Sequence, residues 1–178
     1  MRTARSIAAA AALSVALTAT GCTDPAADRP AAAPASTMVE SNATIVRVVD
    51  GDTVVVDIDG HDETVRLIGI DTPETVKPNS PVECFGPEAS AFTKHLLPEG
   101  TLVRLERDVE ARDDYGRLLA YLYLAGDGTF VNLLLARQGY AALLTFPPNV
   151  AHVDEFVDAA EAARVDGLGL WSACTDGS

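Results

Sequence analysis

Two Asp-Gly turns set between three short β-branched runs constrain this chain more than any other feature. Thr44 to Val49, Thr53 to Ile58 and Thr64 to Ile70 are rich in Val, Ile and Thr. Asp50-Gly51-Asp52 separates the first pair of runs and Asp59-Gly60 the second. β-branched side chains suit a pleated surface, and Asp-Gly supplies the positive φ of a tight hairpin. The three runs therefore predict three consecutive strands in a meander. A helix follows, with Pro87 at its first position, Ala89, Phe92 and Leu96 at helical spacing and Pro98 as its stop. Thr101 to Glu106 and Leu118 to Leu124 read as two more strands around the charged segment Arg107 to Arg117. Thr129 is expected to cap a short helix through Arg137, ended by Gly139. Asn149 is expected to cap another, with Val153, Phe156, Val157 and Ala160 on one face and Gly167 closing it.

Five strands with a helix after the third predict an α+β, β-barrel-rich fold: a partly open OB-fold barrel of five strands with three helices. That fold hosts many functions, so the site must decide.

The first forty positions do not belong to this domain. Arg2 and Arg5 precede an apolar stretch from Ile7 to Leu17, which leads to small residues and Gly21-Cys22. This is the layout of a secretory leader, and the apolar run is too short to span a bilayer. Gly21-Cys22 resembles a lipobox, so residues 1–21 are expected to be removed and Cys22 to carry lipid that anchors the chain to a membrane. Residues 22–41, rich in Ala and Pro, read as a disordered tether. The domain is expected at 42–174, with a tail at 175–178. Export places Cys84 and Cys174 where a disulfide can persist, closing a loop of about ninety residues. Two unpaired thiols are the alternative.

The formal charge is -13, and loss of Arg2 and Arg5 with the leader takes it to -15. Nucleic-acid binders are generally basic, so a phosphate ligand would need a local cationic site and metal ions. Three scattered histidines, His61, His95 and His152, show no metal-ligand spacing. The chain has no Cys-x-x-Cys pair, serine elbow or Gly-rich phosphate loop.

What the chain does offer is carboxylates and arginines. Arg66 interrupts an apolar strand, where a cation needs a partner or a ligand. Asp52 and Asp71, with a backbone carbonyl and waters, are the hard oxygen ligands that Ca²⁺ prefers. Glu74, beyond the proline turn of Asp71-Thr72-Pro73, can act as general base or water positioner. Arg66 and Arg117 offer planar forks for phosphate oxygens.

In order and spacing, several segments resemble the staphylococcal nuclease (thermonuclease) family. They are Asp50-Gly51-Asp52-Thr53, Arg66-Leu67 to Asp71-Thr72-Pro73-Glu74, Gly86-Pro87-Glu88-Ala89 through Lys94, Tyr115-Gly116-Arg117 through Tyr121, Val131-Asn132, Arg137-Gln138-Gly139 and Leu170-Trp171-Ser172. The resemblance implies calcium-dependent hydrolysis of DNA and RNA to 3′-phosphorylated products. By matching positions it implies Asp52, Asp71 and the Thr72 carbonyl as Ca²⁺ ligands, Arg66, Glu74 and Arg117 as catalytic, and Tyr115 beside the bound nucleotide. A monomer is expected. Where the family often carries lysines this chain has Lys77 alone and then Asp113-Asp114, and Leu144 and Phe146 replace a pair of tyrosines. A non-catalytic OB-type module that binds nucleic acid or a protein at the cell surface is the second reading. A calcium-stabilised surface protein without a nucleic-acid role is the third.

Overall fold

The computed structural model describes residues 38–76 and 81–174. The expected leader, Cys22, the tether up to residue 37, Lys77 and the tail from 175 lie outside the described residues. In chain order the elements are β1 (Ala43–Asp50), β2 (Thr53–Ile58), β3 (His61–Leu67), β4 (Gly69–Asp71), α1 (Gly86–Leu96), β5 (Leu102–Glu106), β6 (Leu118–Leu124), α2 (Val131–Arg137), β7 (Ala142–Leu144), α3 (Val153–Val165) and the single turn α4 (Leu170–Ala173).

The meander is present, with Asp50 facing Thr53 at one hairpin end and Ile58 facing His61 at the other. Two register shifts in β1, between Ile45 and Arg47 and between Val48 and Asp50, mark bulges or irregularities of the kind that bends a strand. The sheet closes in the order β1-β2-β3-β6-β5, with β5 returning to β1 at Ala43–Val103. The barrel is thus closed rather than partly open. Every pairing in it is antiparallel except β3 with β6, which run parallel with Arg66 beside Leu119. Inside lie Ile45, Val54, Val56, Val65, Leu67, Val103 and Leu122, all fully buried.

Three local expectations need correction. The run Thr64 to Ile70 is not one strand. It breaks after Leu67, and β4 peels away to pair with β7 in a separate two-stranded sheet. Gly69 makes the break possible: its φ is +85°, and a Cβ there would lie 2.3 Å from the Phe156 ring of α3. Thr129 does not cap α2, whose N-cap is Phe130, because its backbone is taken up in the turn leaving β6, with its N–H on Asp127 Oδ1 at 2.9 Å. Nor does Asn149 cap α3, whose N-cap is His152. Its buried side chain instead accepts from the Glu110 N–H at 2.8 Å and donates to the Glu110 carbonyl at 3.1 Å, a long-range tie that a local pattern cannot show.

Helix α1 backs the rim where β1 turns into β2, and α2 backs β6 and the start of β4. From α1, buried Thr93 donates its hydroxyl to the Gly51 carbonyl at 2.7 Å, fixing that turn. From α2, fully buried Asn132 accepts from Leu122 N–H at 3.0 Å and donates to the Ile68 and Ala120 carbonyls at 2.9 and 3.3 Å. These bonds pair main-chain groups around the strand break, where the Ala120 carbonyl also accepts from the Ile68 N–H at 3.2 Å.

Candidate active site

Arg66 stands at the end of β3, opposite Thr53 across the β2 ladder. The chain bends back around its guanidinium after the break at Gly69. Nη1 donates to the carbonyls of Leu67 at 2.6 Å and Ile70 at 2.9 Å. Nη2 reaches Asp71 Oδ1 at 2.6 Å and Asp52 Oδ2 at 3.2 Å. A largely buried cation thereby acquires two carbonyls and two carboxylates, as its burial requires.

Asp52 is the inner member of that pair. Its Oδ2 accepts from the Thr72 N–H at 2.8 Å and the Thr72 hydroxyl at 3.0 Å, and its Oδ1 from the Thr53 hydroxyl at 3.1 Å. Asp71 is the outer member, with its side chain 56% exposed. Burial pushes its carboxyl above the ordinary range; the Arg66 guanidinium opposes this, while Asp52 and Glu83 add to it. Asp52, Arg66, Asp71 and Thr72 are therefore assembled at one point. Among the described residues, no three His, Cys, Asp or Glu side chains gather as a metal site.

Glu74 belongs to a neighbouring cluster. Its Oε1 accepts from the backbone N–H groups of Thr75 at 3.0 Å and Val76 at 2.8 Å, and its carboxyl is hydrogen-bonded to Asp50. Burial and the Asp50 contact push Glu74 up, against the pull of those N–H groups. For Asp50 burial is outweighed by hydrogen bonds from Glu74, from the Thr75 hydroxyl and N–H and from the Gly51 N–H, which together hold its carboxyl below the usual range. In the sequence Asp50 reads only as a turn residue, and this role does not show. Its one signal in the sequence is that it stands two positions before Asp52 in the same turn.

Arg117 precedes β6 and is held by Asp113. Its N–H and its Nε donate to Asp113 Oδ1 and Oδ2 at 2.9 and 2.7 Å, and its guanidinium carbon lies 5.4 Å from the Tyr115 ring centre. Tyr115 is 86% exposed. Arg66, Arg117, Tyr115, Ile70, Leu144 and Phe146 share the walls of one cleft of about 370 Å³. Phe146, 70% exposed, presents a ring without a hydroxyl at its mouth. Arg66 links this cleft to the carboxylates, whereas Glu74 and Asp50 stand outside its lining. The histidines lie apart: His61 and His95 are exposed, and His152 sits on the Tyr121 and Phe130 rings with Glu155 at 2.7 Å. Cys84 and Cys174 are joined, with sulfurs 1.98 Å and Cα atoms 5.9 Å apart.

A small closed barrel with carboxylates and two arginines on one rim, beside a cleft with exposed aromatic rings, defines an OB-fold protein built to hold an oxygen-rich anion. The staphylococcal nuclease homologue family matches residues 64–173, and the chain belongs to that family. It is 49% identical over 137 residues to a thermonuclease of Staphylococcus intermedius, covering 76% of this chain and 80% of that protein. With a thermonuclease of Staphylococcus hyicus it shares 43% identity over 133 residues, 75% of this chain and 77% of the relative. The endonuclease YncB of Bacillus subtilis (strain 168) is 43% identical over 133 residues, 74% of this chain and 62% of that longer protein.

Proposed function

We propose that this chain is a calcium-dependent nuclease that hydrolyses phosphodiester bonds of DNA and RNA, leaves 3′-phosphorylated products, and acts as a monomer tethered outside the cytoplasm through lipid on Cys22. The observation that carries it is the convergence of Arg66 and Arg117 on one aromatic-walled cleft, with Arg66 bound at its other edge to Asp52 and Asp71.

The donor set fits a calcium ion. Two carboxylates already close on one cationic nitrogen, at 2.6 and 3.2 Å, and one of them faces solvent. All the groups on offer are hard oxygens, so Asp52, Asp71 and the Thr72 carbonyl would hold the ion and water would complete its shell. The chemistry such an ion supplies is attraction and polarisation of the phosphate.

The chain's own residues do the rest. Arg66 and Arg117 bind the phosphate oxygens and stabilise charge that grows as phosphorus becomes five-coordinate. Glu74 takes the proton of the attacking water, whose oxygen joins phosphorus while the bond to O5′ breaks and O5′ leaves with a solvent proton. The two backbone N–H groups on Glu74 Oε1 favour the ionised form that a base requires, while burial and the Asp50 contact raise its carboxyl above the ordinary range and make it a stronger base once ionised. Tyr115 and Phe146 offer faces against which a base can stack. The leader pattern supports export, and no described helix is long and apolar enough to cross a membrane.

The test is cleavage of denatured DNA by the purified mature chain, in calcium and in excess chelator. Glu74→Gln and Arg117→Ala should each lower turnover by about 10² or more with the fold intact. Wild-type turnover in both variants would sink the mechanism. Binding without cleavage in any metal would instead favour the non-catalytic module.

A further inference from the structure

We infer that Glu83 and the Cys84–Cys174 bridge are positioning residues for Glu74, so that the C-terminal end of the chain takes part in the geometry of the reaction. The inference rests on the nuclease reading above and deepens it.

Both main-chain polar groups of Glu74 are met by one residue. The Glu83 N–H donates to the Glu74 carbonyl at 2.9 Å, and the Glu74 N–H donates to Glu83 Oε2 at 3.0 Å. Glu83 is exposed, so no burial holds it there. An exposed hydrogen bond contributes little alone, and this one persists only if the segment bearing Glu83 is fixed by something else.

The bridge and its neighbours fix it. Cys84, next in sequence, is bonded to Cys174, ninety positions away. Cys174 in turn closes α4, whose first residue donates its N–H to the Gly139 carbonyl at 2.9 Å. Phe85 follows with φ of +66°, an uncommon conformation for a bulky residue that survives only where its surroundings over-determine it. Its ring stacks on Tyr140 with centres 5.5 Å apart. Then Gly86 passes so close to the loop that a Cβ there would lie 2.8 Å from Thr75 Cγ2 and 3.1 Å from both the Glu74 and Pro73 carbonyl oxygens. The segment from Glu83 to Gly86 is thus clamped from the C-terminal side and pressed against the Pro73 and Glu74 carbonyls and the Thr75 side chain. Tethering keeps the Glu83 carboxylate at high local concentration beside the Glu74 N–H.

A bridge that served stability alone would change the melting temperature and leave the chemistry unchanged. The experiment compares the mature chain with Glu83→Ala, Glu83→Gln and the double variant C84S/C174S, all assayed on denatured DNA at a temperature where circular dichroism shows each folded. We expect kcat to fall between about ten- and a hundredfold in Glu83→Ala and in the double serine variant, with KM little changed. Glu83→Gln, whose amide oxygen still accepts from the Glu74 N–H, should restore most of the loss. Hydrogen exchange at the Glu74 amide should quicken in the two impaired variants and not in Glu83→Gln. Wild-type kcat and wild-type exchange in both Glu83→Ala and C84S/C174S, even with a lowered melting temperature, overturn the positioning role. A wild-type chain that cleaves nothing, or a Glu74→Gln chain as active as wild type, brings down the underlying reading and this one with it.

Discussion

Asp113 accepts three hydrogen bonds from its own turn: the N–H groups of Tyr115 and Arg117 on Oδ1, and the Nε of Arg117 on Oδ2. One side chain therefore sets both the turn and the direction of a guanidinium. In the sequence this aspartate looked like an acid where the family often has a lysine, a loss for phosphate binding. In the structure it is the group that aims Arg117. Asp113→Ala should lower kcat by about tenfold or more through a misdirected guanidinium. Its stability should change by no more than about 1 kcal/mol in urea, as befits a part-exposed turn. A variant with full kcat would show that Arg117 is aimed by other means. Arg66 was legible from the start because a cation in an apolar run demands partners. Asp50 was not, because Asp-Gly at a hairpin already has a sufficient local explanation and its contact with Thr75 spans twenty-five positions.

At the scale of elements, the break between β3 and β4 decides where Arg66 and Asp71 meet. It depends on Gly69, which combines a positive φ with contact against Phe156. Gly69→Ala adds backbone strain and a clash with a buried ring, so urea unfolding should show a loss of more than about 2 kcal/mol. A loss under half of that would mean that α3 can shift without cost. The periodic runs made the strands visible. The ends of β2 and β6 and the end of α2 at Arg137 were visible too, but the N-caps of α2 and α3 were not, because Thr129 and Asn149 are claimed by Asp127 and Glu110 rather than by the helices they precede.

Strand β6 also carries a pH signature. Burial, aided by a hydrogen bond to Asp108, pushes the Tyr121 hydroxyl up to about 12, and burial takes Tyr123 to about 12 as well. Unfolded, both ionise near their ordinary value of 10.0. Protons are therefore held more tightly in the folded state. This contribution is complete below pH 10.0 and lost as pH rises from there through about 12. Thermal melts across that window should fall steeply, and Tyr121→Phe with Tyr123→Phe should flatten the fall. An equally steep fall in the double variant would assign the alkaline loss elsewhere.

For the whole molecule, a formal charge of -13, which becomes -15 with loss of Arg2 and Arg5 in the expected leader, sets the electrostatics of substrate capture. Long-range attraction of a polyanion is absent, and only Arg66 and Arg117 of the proposed site face phosphate. The logarithm of nucleic-acid affinity should therefore fall with the logarithm of salt by a slope of about 2 at most, since each contacted phosphate contributes about 0.7 to 0.9. Titrations of the Glu74→Gln chain at several salt concentrations measure it. A slope well above that would reveal cations in contact that the cleft does not account for. The barrel itself was readable from five β-rich runs, but its closure was not, since the pairing of β5 with β1 rests on two residue pairs far apart in sequence.

The parallel pairing of β3 with β6 has one further consequence. Val65 lies beside Leu118 and Arg66 beside Leu119, and Arg117 immediately precedes β6, so the ladder brings the two arginines to the same end of the strands while the Asp113 turn aims Arg117. The hairpin at Asp59-Gly60 sits at the opposite end of the same strands, where a Cβ on Gly60 would meet nothing within 4 Å. None of the described site residues lies at that hairpin, so an epitope, a fluorophore or a surface-attachment handle grafted there should leave turnover unchanged.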